Sequence, residues 1–183
     1  MGLKWLHHIK YLNKKNISIK ENVEIGDNIL FDATAGTIKI DGPSYLIGNT
    51  KFHAAGGELK IGKNVTIGDY SFINAAGNVT IGDNVLFADK VNVIASEHGY
   101  TDVNQPIRNQ PSTSKAIIIG EGSWIGINVS ILAGASIGKN SVVGANSVVK
   151  GQFEDYCVIV GNPARVIKRF ENDKWVGEKR NDR

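Results

Sequence analysis

The feature that most constrains this chain is a repeat of period six. From Ile119 an aliphatic residue recurs at Ile125, Ile131, Ile137, Val143 and Val149 without a missed step. The fourth residue after each of the first five is small or β-branched: Ser123, Val129, Ala135, Ser141 and Ser147. An earlier block repeats the pattern at Ile61, Ile67 and Ile73, and another at Ile81, Phe87 and Val93, with a two-residue excess between them around Gly77 and Asn78. Weaker candidates at Ile19, Ile25 and Phe31 read as a first, irregular coil.

A period of six matches neither the 3.6 of a helix nor a half-buried alternation carried through hairpins. Recurrent Ile-Gly pairs followed by Asp, Lys, Glu or Asn put turn residues between very short strands. Such strands make a triangular prism. Each aliphatic side chain points inward and stacks on its equivalents in neighbouring coils, while Gly and Asn take the tight corners. One coil then needs about eighteen residues, three hexads. The predicted fold is all-β, a left-handed parallel β-helix. The hexad and the lack of regular hairpin signals count against a right-handed β-helix or a small antiparallel barrel.

A coil hydrogen-bonds to its neighbours, so the end coils need covers. Residues 1–16 carry Trp5, Leu6, Ile9 and Leu12 at helical spacing and are expected to form a capping helical segment. The segment 161–183, with Pro163 and a polar tail from Arg165 onward, is expected to be helical and to cap or flank the other end. At 183 residues and 42% hydrophobic the chain is expected to be one domain, with the β-helix over 17–160.

Charge and cysteine usage narrow the function. A formal net charge of +3 with 21% charged residues is no nucleic-acid footprint, although a mildly basic surface suits a polyanionic small ligand as well as it suits plain solvation. The lone Cys157 rules out an internal disulfide and marks no oxidising compartment, so a cytoplasmic location is the default. Lys4, His7, His8 and Lys10 interrupt the N-terminal apolar residues, unlike a signal peptide, and no stretch approaches the roughly 20 apolar residues of a membrane span.

The repeat stops over residues 94–118. A regular array does not need such an insertion for stability, so it is where chemistry is expected. It holds His98, Tyr100, Pro106, Arg108 and Pro111. Transfer of an acyl group to a hydroxyl needs a base for the hydroxyl proton, and a neutral imidazole serves near neutrality; His98 is the candidate. Glu97 could orient it, or contact the acceptor instead, because neighbouring side chains on a strand point to opposite faces. The four histidines, His7, His8, His53 and His98, have no ligand-cluster spacing, so no metal is expected. There is no Gly-rich phosphate loop, nucleophile elbow or dinucleotide fingerprint.

The run from Ile117 to Gly126, through Ile131-Leu132-Ala133-Gly134-Ala135-Ser136-Ile137-Gly138 and Val142 to Val149, closing in Gly161-Asn162-Pro163-Ala164-Arg165-Val166-Ile167-Lys168, resembles the hexapeptide-repeat acyltransferases of the maltose and galactoside O-acetyltransferase kind. The similarity spans roughly Ile47 to Phe170. It implies a homotrimer with active sites in grooves between prisms, acetyl-CoA as co-substrate along the coils, and a loop histidine as base, on which His98 falls. Asn74 matches an asparagine near the acceptor, and Asn92 lies one coil on with a comparable outward aspect. Trp124 matches a groove tryptophan, Gly134 and Ala145 match places where backbone approaches the pantetheine arm, and Arg165 and Lys168 match basic positions near the nucleotide phosphates.

Two departures bear on substrate. Lys150-Gly151 stands where these relatives usually show Thr-Lys, which shifts a cofactor-contacting lysine by one. The longer N-terminal helical region of the sugar acetyltransferases is missing, which moves the expectation from maltose or galactoside toward the acceptors of polysaccharide and lipopolysaccharide assembly. The reading is thus an acetyl-CoA-dependent O-acetyltransferase on a saccharide hydroxyl, with no nucleic-acid partner and no stable membrane insertion. The alternatives are an N-acyltransferase on an amino-sugar nucleotide, a non-catalytic β-helix scaffold and a γ-class hydratase relative.

Overall fold

A computed structural model describes residues 8–177. The chain winds as a left-handed parallel β-helix of seven coils, each contributing one strand to each of three faces. Face A is built from Ile9–Leu12, Ile29–Asp32, Lys51–His53, Phe72–Asn74, Asn92–Ile94, Ser130–Leu132 and Val148–Val149. Face B is Ile17–Ile19, Thr37–Ile40, Glu58–Ile61, Val79–Ile81, Ile117–Ile119, Ser136–Ile137 and Gln152–Phe153. Face C runs from Val23–Asp27 through Ser44–Gly48, Thr66–Ile67, Leu86–Phe87, Trp124–Ile125 and Val142–Val143 to Cys157–Gly161. Ala164–Glu171 then folds back antiparallel onto that last strand, and Lys174–Gly177 pairs antiparallel with Ala164–Glu171 in turn.

The hexad is the burial pattern. Ile119, Ile125, Ile131, Ile137, Val143 and Val149 are all at most 1% exposed, and so are Ser123, Val129, Ala135, Ser141 and Ser147. An aliphatic side chain of this size contributes about 1.5–3 kcal/mol when fully buried, so the column along the prism axis dominates stability. The buried serines have a separate task. Corner amides fall between the strand ladders and need an acceptor. Ser123 Oγ accepts from the Ser141 amide at 3.2 Å, Ser141 Oγ from the Cys157 amide at 3.1 Å and Ser147 Oγ from the Gly161 amide at 3.0 Å, each tying one coil to the next.

The edge from face B to face C explains the recurrent Ile-Gly. A Cβ on Gly82 would lie 2.7 Å from the Glu121 amide nitrogen, and one on Gly120 would lie 2.6 Å from the Gly138 carbonyl carbon. Only glycine lets these coils stack. Asn64, Asn84 and Asn140 follow with φ of 54°, 60° and 49°, the left-handed corner that asparagine tolerates, and Asn64 Nδ2 donates to Asn84 Oδ1 at 2.9 Å.

Coil length is where sequence expectation and structure part. Residues stacked in register are 18 apart late in the chain, as between Asn128 and Asn146, but 20 or 21 apart earlier, as between Asn64 and Asn84 or Asn28 and Asn49. All of the difference lies on one edge. From B to C the inward residues are always six apart: Ile19 to Ile25, Ile40 to Leu46, Ile61 to Ile67, Ile81 to Phe87, Ile119 to Ile125, Ile137 to Val143, Phe153 to Ile159. From C to A they are again six apart, from Ile25 to Phe31 through to Val143 to Val149. From A to B the step is 8 for Tyr11 to Ile19, 9 for Phe31 to Ile40 and for Phe52 to Ile61, 8 for Ile73 to Ile81, 26 for Val93 to Ile119, 6 for Ile131 to Ile137 and 4 for Val149 to Phe153. The early coils fill their core with aromatic rings, Tyr11 on Phe31 at 5.3 Å and Phe31 on Phe52 at 5.0 Å.

Where they are described, the expected terminal helices are mainly strands. Ile9–Leu12 pairs with Ile29–Asp32 and places Ile9 and Tyr11 against the core, so the β-helix begins before residue 17; sheet pairing outweighs four residues at helical spacing. Only a short 3₁₀ turn follows at Lys14–Asn16, and residues 1–7 of the expected helix lie outside the described residues. The tail from Arg165 is likewise a strand, because Ala164–Glu171 satisfies the open edge of Cys157–Gly161. Among the described residues no helix is long and apolar enough to cross a membrane.

Candidate active site

The insertion leaves face A after Ile94 and returns at Ile117, on the A-to-B edge of the fifth coil. Its neck is a two-stranded antiparallel ribbon, Ser96–His98 against Ser112–Ser114, with Glu97 opposite Thr113 and His98 opposite Ser112. The Lys115 amide closes the neck onto the Ala95 carbonyl at 3.1 Å. Beyond it the loop is organised by Gln110, whose buried side chain donates to the Asp102 and Gln105 carbonyls at 2.8 and 3.3 Å and accepts from the Asp102 amide at 3.1 Å. The Asn104 amide and the Gln105 side chain donate to Asp102 and hold its carboxyl below the ordinary range.

His98 is exposed on this ribbon, and its Nδ1 lies 3.2 Å from Ser112 Oγ. With Ser112 accepting from Nδ1–H, the lone pair is placed on Nε2, the tautomer a base needs; a serine hydroxyl can act either way. Glu97 points to the opposite side and meets Lys150, Oε1 to Nζ 2.9 Å, bracing the ribbon against the seventh coil across 53 residues of sequence. The lysine is held above its ordinary range, first by that hydrogen bond and then by the carboxylate charge.

Below the insertion the A-to-B edge carries a column of outward side chains one strand apart: Asp32, His53, Asn74 and Ile94, with Leu132 above. Asn74 Oδ1 accepts from the Ala76 amide at 3.0 Å. Asn92 stands in the neighbouring column, between Phe72 and Ser130, and donates to the Lys90 carbonyl at 3.3 Å. Asp32 accepts from the Thr34 hydroxyl at 2.8 Å, and its Oδ2 is 3.7 Å from His53 Nε2. Burial pushes the Asp32 carboxyl up, but the Thr34 hydrogen bonds and the charges of His53 and Lys51 outweigh it and leave it below the ordinary range.

The remaining sequence candidates divide by edge. Gly134 lies on the A-to-B edge one coil above the insertion, with φ +83° and its carbonyl accepting from Gln152 Nε2 at 2.8 Å. Ala145 lies in a C-to-A corner. Trp124 is half-exposed on face C between Leu86 and Val142. Arg165 and Lys168 are exposed on the return strand, opposite Val160 and Val158. One chain therefore gathers His98, Glu97, Asn74, Gly134 and Lys150 along one edge and leaves Trp124, Arg165, Lys168 and Ala145 elsewhere. A concavity of about 460 Å³ on face B, lined by Lys20, Lys39, Lys60 and Thr80, lies toward the B-to-C edge, away from the insertion. Sequence reasoning missed Ser112, whose pairing with His98 is non-local, and the Asp32–His53 pair, whose 21-residue register shows in the step from Phe31 to Phe52.

Residues 116–151 match the family described as bacterial transferase hexapeptide (six repeats). A putative lipopolysaccharide biosynthesis O-acetyl transferase, WbbJ of Escherichia coli K12, is 37% identical over 101 residues, covering 51% of this chain and 52% of that protein. The chain spans about half the length, or less, of the first curated relatives it matches. A maltose O-acetyltransferase from Clostridium difficile 630 aligns in structure with a TM-score of 0.60 at 25% identity, over 87% of this chain and 73% of that one. AntD, an N-acyltransferase from Bacillus cereus solved as a variant with dTDP and coenzyme A, shares the fold with a TM-score of 0.57 at 21% identity, over 90% and 84% of the two chains.

Proposed function

We propose that this chain, a β-helix whose residues 116–151 match the bacterial transferase hexapeptide family and which is similar to O-acetyltransferases, transfers an acetyl group from acetyl-CoA to a saccharide hydroxyl, with His98 as general base. The observation that carries the reading is the setting of His98: an exposed imidazole on a braced ribbon, its Nδ1 beside Ser112 Oγ, above an edge lined with polar groups. His98 Nε2 takes the hydroxyl proton as that oxygen attacks the thioester carbonyl. It returns the proton to the departing thiolate, and the products are the ester and coenzyme A. Such a base contributes about 10²–10⁴ in rate. Asn74, with its Oδ1 already engaged, offers its amide N–H groups to the acceptor.

The donor reading rests on residues that fit a long anionic thioester. Arg165 and Lys168 are exposed cations suited to phosphates, Trp124 offers an exposed apolar plate, and Gly134 and Ala145 present backbone without bulky side chains. These residues and His98 lie on different sides of one prism, so the complete site is formed between copies, as a homotrimer in the cytoplasm. The half-exposed row of Tyr45, Leu86 and Trp124 on face C, with Ile47 and Ile127 beside it, supports such packing. Lys150 then braces the insertion through Glu97, and would have to leave that carboxylate to reach the cofactor.

The test is a transfer assay with acetyl-CoA and simple glycosides, beside calorimetric titration with acetyl-CoA and sedimentation. Micromolar donor binding by a trimer, with His98→Ala binding the donor normally but transferring about 10²–10⁴ more slowly, is the expected outcome. An unchanged rate in His98→Ala overturns the role of the base. Absence of donor binding at millimolar concentration overturns the acyltransferase reading.

A further inference from the structure

Two and three coils below the insertion the A-to-B edge holds a polar pair that the proposed chemistry does not use. Asp32 ends its strand on the second coil and His53 ends the strand above it, with Asn74 next in the same column. The Asp32 side chain is only 13% exposed and that of His53 29%. A group this enclosed keeps its polar atoms only where they find partners. One Asp32 oxygen has them, in the Thr34 hydroxyl and amide at 2.8 and 3.2 Å. The other, Oδ2, stands 3.7 Å from His53 Nε2, beyond a direct hydrogen bond and within the span that one bridging oxygen closes.

A hydroxyl is the group that both donates and accepts, so it can give its proton to Asp32 Oδ2 and accept from His53 Nε2–H at once. Strands along a face are about 4.8 Å apart, so the Asp32-to-Asn74 column runs about 10 Å down the same edge that carries the insertion. We propose that Asp32 and His53 form a hydroxyl-reading subsite that selects the saccharide acceptor by a hydroxyl remote from the one acetylated, with Asn74 between this subsite and His98. This rests on the acceptor being a saccharide that lies along the A-to-B edge. Its consequence is that acceptor specificity is set on the second and third coils, while the reacting group is held by the fifth. Thr34 is the positioning residue, since its two hydrogen bonds orient the Asp32 carboxylate and leave Oδ2 turned to His53.

The experiment follows the ring protons of His53 by NMR, with its resonances assigned from their loss in His53→Gln. The protein is titrated with the methyl glycosides of glucose, galactose and N-acetylglucosamine at millimolar concentration. At least one is expected to shift the His53 resonances, and Asp32→Asn is expected to weaken that glycoside about ten-fold while the protein still melts cooperatively. Thr34→Ala is expected to act in the same direction, and Thr34→Ser to restore binding. In transfer assays, Asp32→Asn is expected to raise the acceptor KM and leave the acetyl-CoA KM unchanged, a split that a loss of packing alone does not produce. No shift with any of the three glycosides, or equal binding by Asp32→Asn, overturns the subsite. A His53 shift without any acetyl transfer would leave the subsite standing and sink the acetyltransferase reading. Transfer whose acceptor KM ignores both residues would do the reverse.

Discussion

The edge joining face A to face B differs from the other two edges in the freedom it allows. At every B-to-C and C-to-A corner the inward residues are six apart, whereas the A-to-B step runs from 4 to 26. Glycines whose Cβ would strike the next coil and left-handed asparagines that hydrogen-bond from coil to coil occur on the constant edges and on the variable one alike, as at Gly57 and Asn78, whereas the buried serines that accept corner amides stand on the constant edges. The variable edge also has open positions between its close contacts: a Cβ on Gly56 would meet nothing within 4 Å, while one on the adjacent Gly57 would lie 2.1 Å from the Ala75 carbonyl oxygen. The insertion, and with it His98, leaves the prism on the edge whose length varies from coil to coil. A solenoid can thus keep its core in register on two sides and vary its chemistry on the third.

Placing the same change on different edges breaks or sharpens this contrast. Two residues inserted after Asn84, on the B-to-C edge, should throw the following inward side chains out of register and prevent cooperative folding, as seen by thermal melting. The same two residues after Gly56 should cost less than about 1 kcal/mol, the price of a slightly longer loop. Similar losses at both sites would refute the distinction. Next in size is Gly120→Ala, which sets a Cβ 2.6 Å from the Gly138 carbonyl carbon and should destabilise by about 2 kcal/mol in denaturant unfolding. Gly56→Ala has room but carries φ +98°, so its smaller loss reports backbone strain alone.

The smallest effect belongs to the Glu97–Lys150 brace. A lysine raised above its ordinary value contributes fully below that value, about 10.4, and the contribution disappears as the pH climbs through the folded value. The ring resonances of His98, followed by NMR from about pH 9 upward, should therefore show an alkaline step that is missing in Glu97→Gln. A step of equal size in the variant would mean that Lys150 does not steady the ribbon.

What could be read from the sequence follows the same division. Ile61, Ile67 and Ile73, or the run from Ile119 to Val149, declare themselves because they cross constant edges, or an edge that happens to take six. Phe31 and Phe52 belong to the same inward column but are 21 apart, so the hexad fades there although the coil does not. Ile9 and Leu12 suit a helical face as well as a strand, and only the pairing of Tyr11 with Phe31 decides between them. The insertion that carries His98 was legible as a break in the repeat. The histidine's partner Ser112 was not, since the ribbon pairs residues 14 apart through a loop with no hairpin signature.

The return of Ala164–Glu171 has a consequence for assembly. A parallel coil presents on its upper rim the same unpaired amides and carbonyls that its lower rim has just satisfied, so a stack of such coils carries an open invitation to polymerise end to end. Along face C the chain answers with a strand of opposite direction, Ala164–Glu171, which takes up the edge of Cys157–Gly161 that a further parallel coil would need, and Lys174–Gly177 then pairs on its far side. On that face the hairpin thus works as a terminator as well as a cover, filling the edge onto which an eighth coil would otherwise be laid.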